Sequence, residues 1–196
     1  MLHELDLTLT SLLKSELPGR DQIAISFDTP DDAFSVVPPA VDLFLYDIRE
    51  NLELRSNDDY FESRDDLKVV RIRAPVRMDA SYLITAWPGT RGGRGDSSED
   101  EHKLLSAVMW TLLRHPKLPR KYLKGSLAGQ HLPVPVSTLQ PGRLQSLGEL
   151  WQALGRKPKA ALNYTVTMPV DVEDAEEHRL VIDREFRVHV DSQAAR

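Results

Sequence analysis

The stretch from Ser97 to Pro116, SSEDEHKLLSAVMWTLLRHP, carries the clearest helix signal in the chain and constrains the fold most. Ser98 and Glu101 have the spacing of a capping box, in which each side chain satisfies a backbone N–H at the start of a helix. Pro116 cannot continue a helix. Six apolar residues recur with the helical period and form one continuous stripe: Leu104, Leu105, Val108, Met109, Leu112 and Leu113. We therefore predict a core helix that buries this stripe against the strands on either side of it.

Composition excludes several classes of protein. The chain has 196 residues, of which 41% are hydrophobic and 28% charged, and these fractions are typical of a globular domain. Cysteine is absent, so disulfides and thiol chemistry are excluded. No apolar run is long enough to span a bilayer, and no basic segment followed by an apolar one marks a secretory signal. We predict no membrane partner.

Charge is segregated along the chain. Residues 1–90 carry 9 basic and 17 acidic side chains, residues 91–160 carry 12 and 5, and residues 161–196 carry 4 and 8. The three blocks have net charges of −8, +7 and −4, which sum to −5. Opposed charges on one subunit favour head-to-tail association of copies, the geometry of rings and filaments, unless the blocks intermix in the fold.

Alternating apolar and polar residues predict several strands around the central helix. The predicted strands are Gln22–Phe27, Val41–Tyr46, Val69–Arg73, Tyr82–Trp87, Leu162–Val170 and Leu180–Val190. Further helices are predicted at Met1–Leu17 and at Leu144–Leu154, with Trp151 as an anchor. In the first, one face carries Leu2, Leu5, Leu9, Leu12 and Leu13, and Leu7 lies off it; in the second, one face carries Leu147, Leu150, Trp151 and Leu154. Ser56–Asp66 is predicted as a loop or hairpin tip, and the acidic residues 171–178 as a turn.

The order of these elements predicts an α+β fold: a mainly antiparallel β-sheet with two to three helices packed on it. We found no internal repeat and no second hydrophobic unit set off by a linker. The sequence therefore predicts one domain over residues 1–190, followed by a polar tail at 191–196.

No motif for catalysis, metal binding or phosphate binding is present. Asp42 and Asp47 flank one predicted strand, but no matched acid, base or metal ligand is near them, so we interpret them as strand-end or edge charges. The acidic cluster Asp28–Asp32 lacks the spacing and central glycine of an EF-hand. No two histidines have metal-ligand spacing, and the glycines of Pro88–Ser98 do not form a phosphate-binding loop. We predict no catalytic residue, no cofactor and no metal.

Two segments beside the central helix are candidate contact surfaces. The Gly-rich segment before it is typical of a linker or an interface loop, and we read its Arg-Gly-Asp tripeptide as chance. The segment after it clusters four cations around Tyr122: Lys117, Arg120, Lys121 and Lys124. This basic cluster is short and the chain is acidic overall, so it favours a protein-binding or solvated face over a nucleic-acid site.

Five stretches in a fixed order resemble one known family. They are PPAVDLFLYDIRENLELR, YLITAWPGT, EHKLLSAVMWTLL, LPVPVSTLQP and LGELWQALG. Together they resemble the N-terminal domain of the cap, or tail-terminator, protein of extracellular contractile injection systems, which are phage-tail-like particles made by bacteria. The similarity covers roughly Met1 to Val170, and the order of the stretches is more specific than any one of them.

The resemblance implies a tail-terminator-like α+β subunit that assembles as a six-fold ring on the distal end of such a particle. The ring would bind the sheath and inner-tube proteins, terminate both and fix the particle length. The resemblance implies no enzymatic role and no cofactor, and the short basic cluster in an acidic chain leads us to predict no nucleic-acid partner. It implies assembly in the cytoplasm followed by residence in the particle.

Three segments are the candidate contacts for such an assembly. They supply Gly92, Gly93, Arg94 and Asp96 from the Gly-rich loop, the basic cluster Lys117, Arg120, Lys121 and Lys124, and Phe186, Val188 and Val190 from the last strand. A terminal strand suits donation to a neighbouring sheet edge. The alternative function is a non-ring adaptor that binds a partner through a sheet edge, and a third is an enzyme whose site is assembled from distant residues.

Overall fold

The elements of secondary structure follow the predicted order, with additions. A computed structural model describes residues 1–31, 35, 37, 39–56, 58–65, 68–89, 98–140, 146–172 and 176–179. The helices are α1 (Leu2–Glu16), α2 (Ser98–Leu113) and α3 (Leu147–Ala153), with short 3-10 turns at Arg20–Gln22, Arg120–Tyr122 and Gly125–Gly129. The strands are β1 (Ala24–Ser26), β2 (Ala40–Glu50), β3 (Asp59–Asp65), β4 (Lys68–Arg73), β5 (Val76–Trp87), β6 (Val136–Thr138), β7 (Ala161–Val170) and β8 (Glu176–Arg179).

The chain separates into two compact units. The first consists of Met1–Arg55 and Val76–Val170, and the second contains Ser56–Pro75 and the described residues after Val170. The prediction of one domain over residues 1–190 with a tail at 191–196 stays a prediction, because residues 180–196 lie outside the described part of the chain.

The first unit is built on a five-stranded sheet with the order β1-β2-β5-β7-β6. β1 pairs in parallel with Ala40–Asp42 at the start of β2, and every other pair in this sheet is antiparallel. Successive side chains of β2 and β5 point to opposite faces, and one face is apolar. The predicted α+β class with a mainly antiparallel sheet and packed helices is confirmed.

The helices α1 and α2 cover the apolar face of this sheet. Leu5, Leu9, Leu12 and Leu13 of α1 are fully buried, in a cluster with residues of α2, β2, β5 and β7. In α2, Leu105, Val108 and Leu112 are buried, as the apolar stripe predicts, and Leu104 and Met109 are partly buried. Leu113 was expected in the same stripe but is 44% exposed, because the buried face of the helix follows Leu105, Val108 and Leu112, and Leu113 is turned away from that face toward the exposed Trp110.

The third helix is shorter than predicted and has a single buried anchor. It covers Leu147–Ala153, and the hydroxyl of its N-cap Ser146 accepts a hydrogen bond from the Glu149 N–H at 3.2 Å. Trp151 is 1% exposed and is the only buried residue of the helix. Leu147 was predicted on the buried face but is 39% exposed. Gly155 has φ +70°, as expected for a glycine that follows a helix.

The second unit contains a three-stranded antiparallel sheet with the order β3-β4-β8. The predicted loop at Ser56–Asp66 is wrong in part, because Asp59–Asp65 pairs with β4 as a regular strand. The acidic turn predicted at 171–178 is also wrong in part, because Glu176–Arg179 forms a strand that pairs with the other side of β4. Polar composition predicted loops at both places, but backbone pairing with β4 determines the structure. The strand predicted at Leu180–Val190 lies outside the described residues.

Candidate functional site

The segment that follows α2 presents its cations outward because its apolar residues are held in the core. Leu118, Tyr122 and Leu123 are buried, with exposures of 4%, 7% and 8%. The backbone is tied to the chain before β6, since the Leu118 N–H donates to the Val134 carbonyl at 2.9 Å and the Val136 N–H donates to the Pro116 carbonyl at 3.1 Å. The four residues of the basic cluster, Lys117, Arg120, Lys121 and Lys124, all have exposed side chains.

Glu16, at the end of α1, fixes this segment from the other side. The Tyr122 hydroxyl donates to Glu16 Oε1 at 2.7 Å, and His115 Nε2 lies 2.8 Å from Glu16 Oε2. Lys121 Nζ lies 3.6 Å from the same carboxylate. The hydrogen bonds from His115 and Tyr122 lower the pKa of Glu16 to about 2, so this carboxylate stays ionised throughout the neutral range.

A second tie to α1 lies further along the segment. The Lys124 N–H donates to the Thr8 hydroxyl at 3.0 Å, and that hydroxyl donates to the Glu4 carbonyl at 2.8 Å. Gly125 has φ +56°, and a Cβ at this position would lie 2.0 Å from Glu4 Oε1. The left-handed backbone conformation at this position is one that glycine adopts without strain, so glycine is favoured where the segment passes α1.

The four cations of the basic cluster differ in what they contact. Arg120 Nη2 donates to the His131 carbonyl at 3.3 Å, and Lys121 contacts Glu16 and the Tyr122 ring, whose centroid is 4.5 Å from Nζ. Within the part of the chain that the structure describes, Lys117 and Lys124 make no ion pair. Lys117 and Lys124 are thus the members of the cluster best placed to meet acidic groups on another molecule.

The outward face of α2 carries an exposed tryptophan next to the basic cluster. Trp110 is 65% exposed and Leu113, one turn further along the helix, is 44% exposed. Arg114 follows Leu113 in the chain, and its Nε donates to the Trp110 backbone carbonyl at 3.3 Å. Exposed aromatic residues are frequent binding hot spots. The sequence did not lead us to Trp110, although its position off the apolar stripe of the helix was an available signal.

The end of β2 and the turn after it form a second exposed apolar area. Ile48 is 46% exposed, Leu52 is 69% exposed and Leu54 is 49% exposed. The charged residues around them are Asp47, Arg49, Glu50, Glu53 and Arg55, a net charge of −1. Arg49 pairs with Asp47 at 2.6 Å and Arg55 with Glu50 at 3.4 Å, whereas Glu53 makes no ion pair among the described residues.

Asp42 and Asp47, which the sequence led us to interpret as edge charges, have different surroundings. Asp47 fits the interpretation, because its two oxygens accept hydrogen bonds from Arg49 on the same strand. Asp42 does not, because it is fully buried and neither of its carboxylate oxygens has a hydrogen-bond partner among the described residues. Burial raises the pKa of Asp42 to about 7; the nearby Ser26 hydroxyl and Asp28 backbone N–H oppose this increase in part, and the charge of Asp28 adds to it. The two carboxyl groups therefore do not form a matched catalytic pair.

The described residues offer no other chemical centre. Among them, no group of three or more His, Asp or Glu side chains is arranged to hold a metal ion. No helix within the described ranges is long and apolar enough to cross a bilayer. Of the residues proposed from the sequence as contacts, Gly92, Gly93, Arg94 and Asp96 lie outside the described part of the chain. Phe186, Val188 and Val190 lie outside it as well.

Comparisons with known proteins give a consistent result. A family model described as the Pvc16 N-terminal domain matches residues 4–184. A cryo-EM structure of the PVC sheath/tube terminator of an extracellular contractile injection system, in the extended state, is similar with a TM-score of 0.72 and 26% identity, over 100% of this chain and 65% of that one. A cryo-EM structure of the anti-feeding prophage cap, a tube-terminating cap, is similar with a TM-score of 0.65 and 26% identity, over 94% of this chain and 60% of that one.

The chain thus spans less than two-thirds of the length of either solved structure. A search of curated proteins gives no significant match.

Proposed function

The chain belongs to the Pvc16 N-terminal domain family, and from this premise we propose that it is a structural subunit that terminates the tube and sheath of a contractile injection particle. The observation that carries the proposal is the similarity, along its whole length, to a sheath/tube terminator with a TM-score of 0.72. The second solved structure, a tube-terminating cap, supports the same role. The proposal includes no catalytic step and no cofactor.

The proposed assembly is a homo-hexameric ring that binds the last layer of inner-tube and sheath proteins and blocks further addition. Segregated charge supports a ring, because copies joined head to tail through unlike surfaces close into a ring when the rotation permits. The exposed cations Lys117, Arg120, Lys121 and Lys124 are the proposed contact surface toward acidic groups, together with the Gly-rich loop and the last strand. We place assembly in the cytoplasm, and the mature subunit in the particle.

Neutralising the basic cluster is expected to weaken assembly. The variant Lys117→Gln, Arg120→Gln, Lys121→Gln and Lys124→Gln loses four charges without losing buried apolar surface. The native mass of the purified protein, measured over a range of concentrations alone and with tube and sheath proteins, reports ring formation. We expect a hexamer for the wild type and at least a tenfold higher midpoint concentration for the variant, with the difference shrinking as salt is raised.

A control for the loss of a surface cation is Lys157→Gln, because Lys157 is exposed in the loop after α3, outside the cluster. This control should assemble like the wild type. If the fourfold variant also forms rings at the wild-type concentration in low salt, the basic cluster is not part of the contact. A wild-type protein that stays monomeric both alone and with tube and sheath proteins would contradict the ring itself.

One feature of the sheet favours the adaptor as the second candidate function. Among the described residues, β1 pairs only with Ala40–Asp42, and no strand pairs with residues 43–50 on the side away from β5. Such an edge is able to accept a strand from another protein. A monomer that binds a partner one to one, without forming a ring, would support the adaptor over the terminator.

A further inference from the structure

The two exposed apolar areas of the first unit complement each other in charge. The first, here called the tryptophan patch, consists of Trp110 and Leu113 with Arg114 and Lys117. The second, the leucine patch, consists of Ile48, Leu52 and Leu54 with Glu53. Residues 110–121 contain four Lys or Arg side chains and no acidic one, whereas residues 47–55 have a net charge of −1.

Both patches expose large apolar side chains that lie close together in the chain. Trp110 leaves 65% of its surface exposed, and Leu52 leaves 69% exposed. Single exposed apolar residues are common on protein surfaces, but clusters of large ones on a defined element mark contact sites. An exposed tryptophan beside an arginine has the composition of an interface hot spot.

The positions of the patches in the sheet suit a head-to-tail contact. The leucine patch begins on β2, whose outer edge from Leu43 to Glu50 is unpaired among the described strands. The tryptophan patch lies on the outward face of α2, a different element, which packs mainly on β5 and also on β6 and β7. Two unlike patches on different elements of one subunit form a heterologous contact, so that each copy offers one patch to each of two neighbours.

We propose that the tryptophan patch of one copy binds the leucine patch of a second copy of this chain. This inference rests on the proposed ring and names the surfaces that join neighbouring subunits. Trp110 and Leu52 supply the apolar centre, and Arg114 and Lys117 lie toward the acidic side chain of Glu53 on the next copy. Acidic groups at the rim steer the encounter, and the apolar centre supplies most of the affinity.

Two complementary variants test the inference. The first, Trp110→Ala with Lys117→Glu, destroys the tryptophan patch and keeps the leucine patch. The second, Leu52→Ser with Glu53→Lys, destroys the leucine patch and keeps the tryptophan patch. Every residue changed is exposed, and circular dichroism with thermal unfolding checks that each variant folds. We expect each variant alone to lose ring formation, with self-association weakened by roughly tenfold or more.

Mixing the two variants is the decisive step. Each has one intact patch, so an equimolar mixture should form one-to-one pairs and nothing larger, as measured by native mass. The same mixture is also measured with tube and sheath proteins, because copies of the chain that associate only on those proteins would stay apart without them. A control variant, Leu147→Ser, removes an apolar side chain that is 39% exposed and lies in neither patch, and it should form wild-type rings.

Three results would overturn the inference. In the first, both variants still form wild-type rings; in the second, folded variants stay monomeric when mixed. In the third, Trp110→Ala keeps ring formation but loses binding to tube or sheath protein, which would make a particle protein the occupant of the tryptophan patch. These outcomes leave the proposed function standing, because it fails only if the wild-type protein neither forms rings nor binds tube and sheath.

Discussion

Replacing Asp42 with Asn is expected to stabilise the protein by roughly 4 kcal/mol at about pH 8.5 and by little at about pH 4. Asp42 is fully buried, its carboxylate oxygens have no hydrogen-bond partner among the described residues, and burial raises its pKa from 3.8 to about 7. Above pH 7 the folded protein must hold a buried charge that the unfolded chain exposes to water. Asparagine has the same shape and no charge, so it removes this cost.

The direction in which wild-type stability changes with pH follows from how many protons each state binds at Asp42. Between the unfolded pKa of 3.8 and the folded pKa of about 7, the folded state binds more protons at Asp42 than the unfolded state does. Wild-type stability therefore falls as pH rises through this window, whereas Asp42→Asn lacks this contribution. The free energy of unfolding in urea at several pH values measures the difference.

Asp47→Asn is the control for this experiment. It removes an ion pair with Arg49 on the same strand, in which the side chain of Arg49 is 44% exposed, and such pairs contribute less than about 1 kcal/mol. We expect a small change with this variant. Parallel curves of stability against pH for the wild type and Asp42→Asn would show that Asp42 is not a buried carboxyl group of raised pKa.

Replacing Trp151 with Ala is expected to lower the free energy of unfolding by about 3–5 kcal/mol. Trp151 is 1% exposed and is the only buried residue of α3, so this one side chain accounts for the buried apolar contact of the helix. Alanine at this position removes that contact and leaves a cavity. Urea denaturation measures the loss, and limited proteolysis near residues 146–160 should become faster than in the wild type.

Two further variants serve as comparisons for Trp151→Ala. Leu147→Ala changes the same helix at a residue that is 39% exposed and should cost less than about 1 kcal/mol. Trp151→Phe keeps a ring and removes an indole N–H that has no partner among the described residues, so its cost should lie between the other two. A change of less than 1 kcal/mol for Trp151→Ala would mean that α3 is not anchored by Trp151.

The sequence predicted best where hydrophobic periodicity is long and regular. The stripe of α2 predicted the buried Leu105, Val108 and Leu112. The apolar spacing of α1 predicted the face of its buried leucines and placed Leu7, which is 46% exposed, off that face. Periodicity gives the direction that a side chain faces, but not how far the neighbouring surface extends. Leu113 and Leu147 were therefore predicted as buried, although the surfaces that cover α2 and α3 do not reach them and both are exposed.

Strand pairing and polar contacts were harder to predict because they depend on residues far apart in the chain. Asp59–Asp65 is polar enough to indicate a loop, yet it pairs with β4. Glu16 binds His115 and Tyr122 across 99 and 106 positions, and nothing local to Glu16 indicates those partners. Asp42 is buried in the middle of a sheet whose strands come from separate parts of the chain.

The candidate contact surface was predictable in part. The cluster of cations after α2 is visible in the sequence, and the structure places all four side chains at the surface. The sequence does not show that Glu16 and the His131 carbonyl contact two of them, nor that Trp110 is exposed beside them. Those contacts depend on how α1, α2 and the 3-10 turns pack together in the folded protein, which the sequence alone does not show.

The length of particles assembled with and without the protein tests the terminator function most directly. Inner-tube and sheath proteins are assembled with the wild-type chain, without it, and with the fourfold variant of the basic cluster, and lengths are measured by electron microscopy. We predict a narrow length distribution with a six-fold ring at one end when the wild-type chain is present, and long, variable tubes without it. Identical length distributions with and without the chain, and ends that carry no added ring, would contradict the function proposed for it.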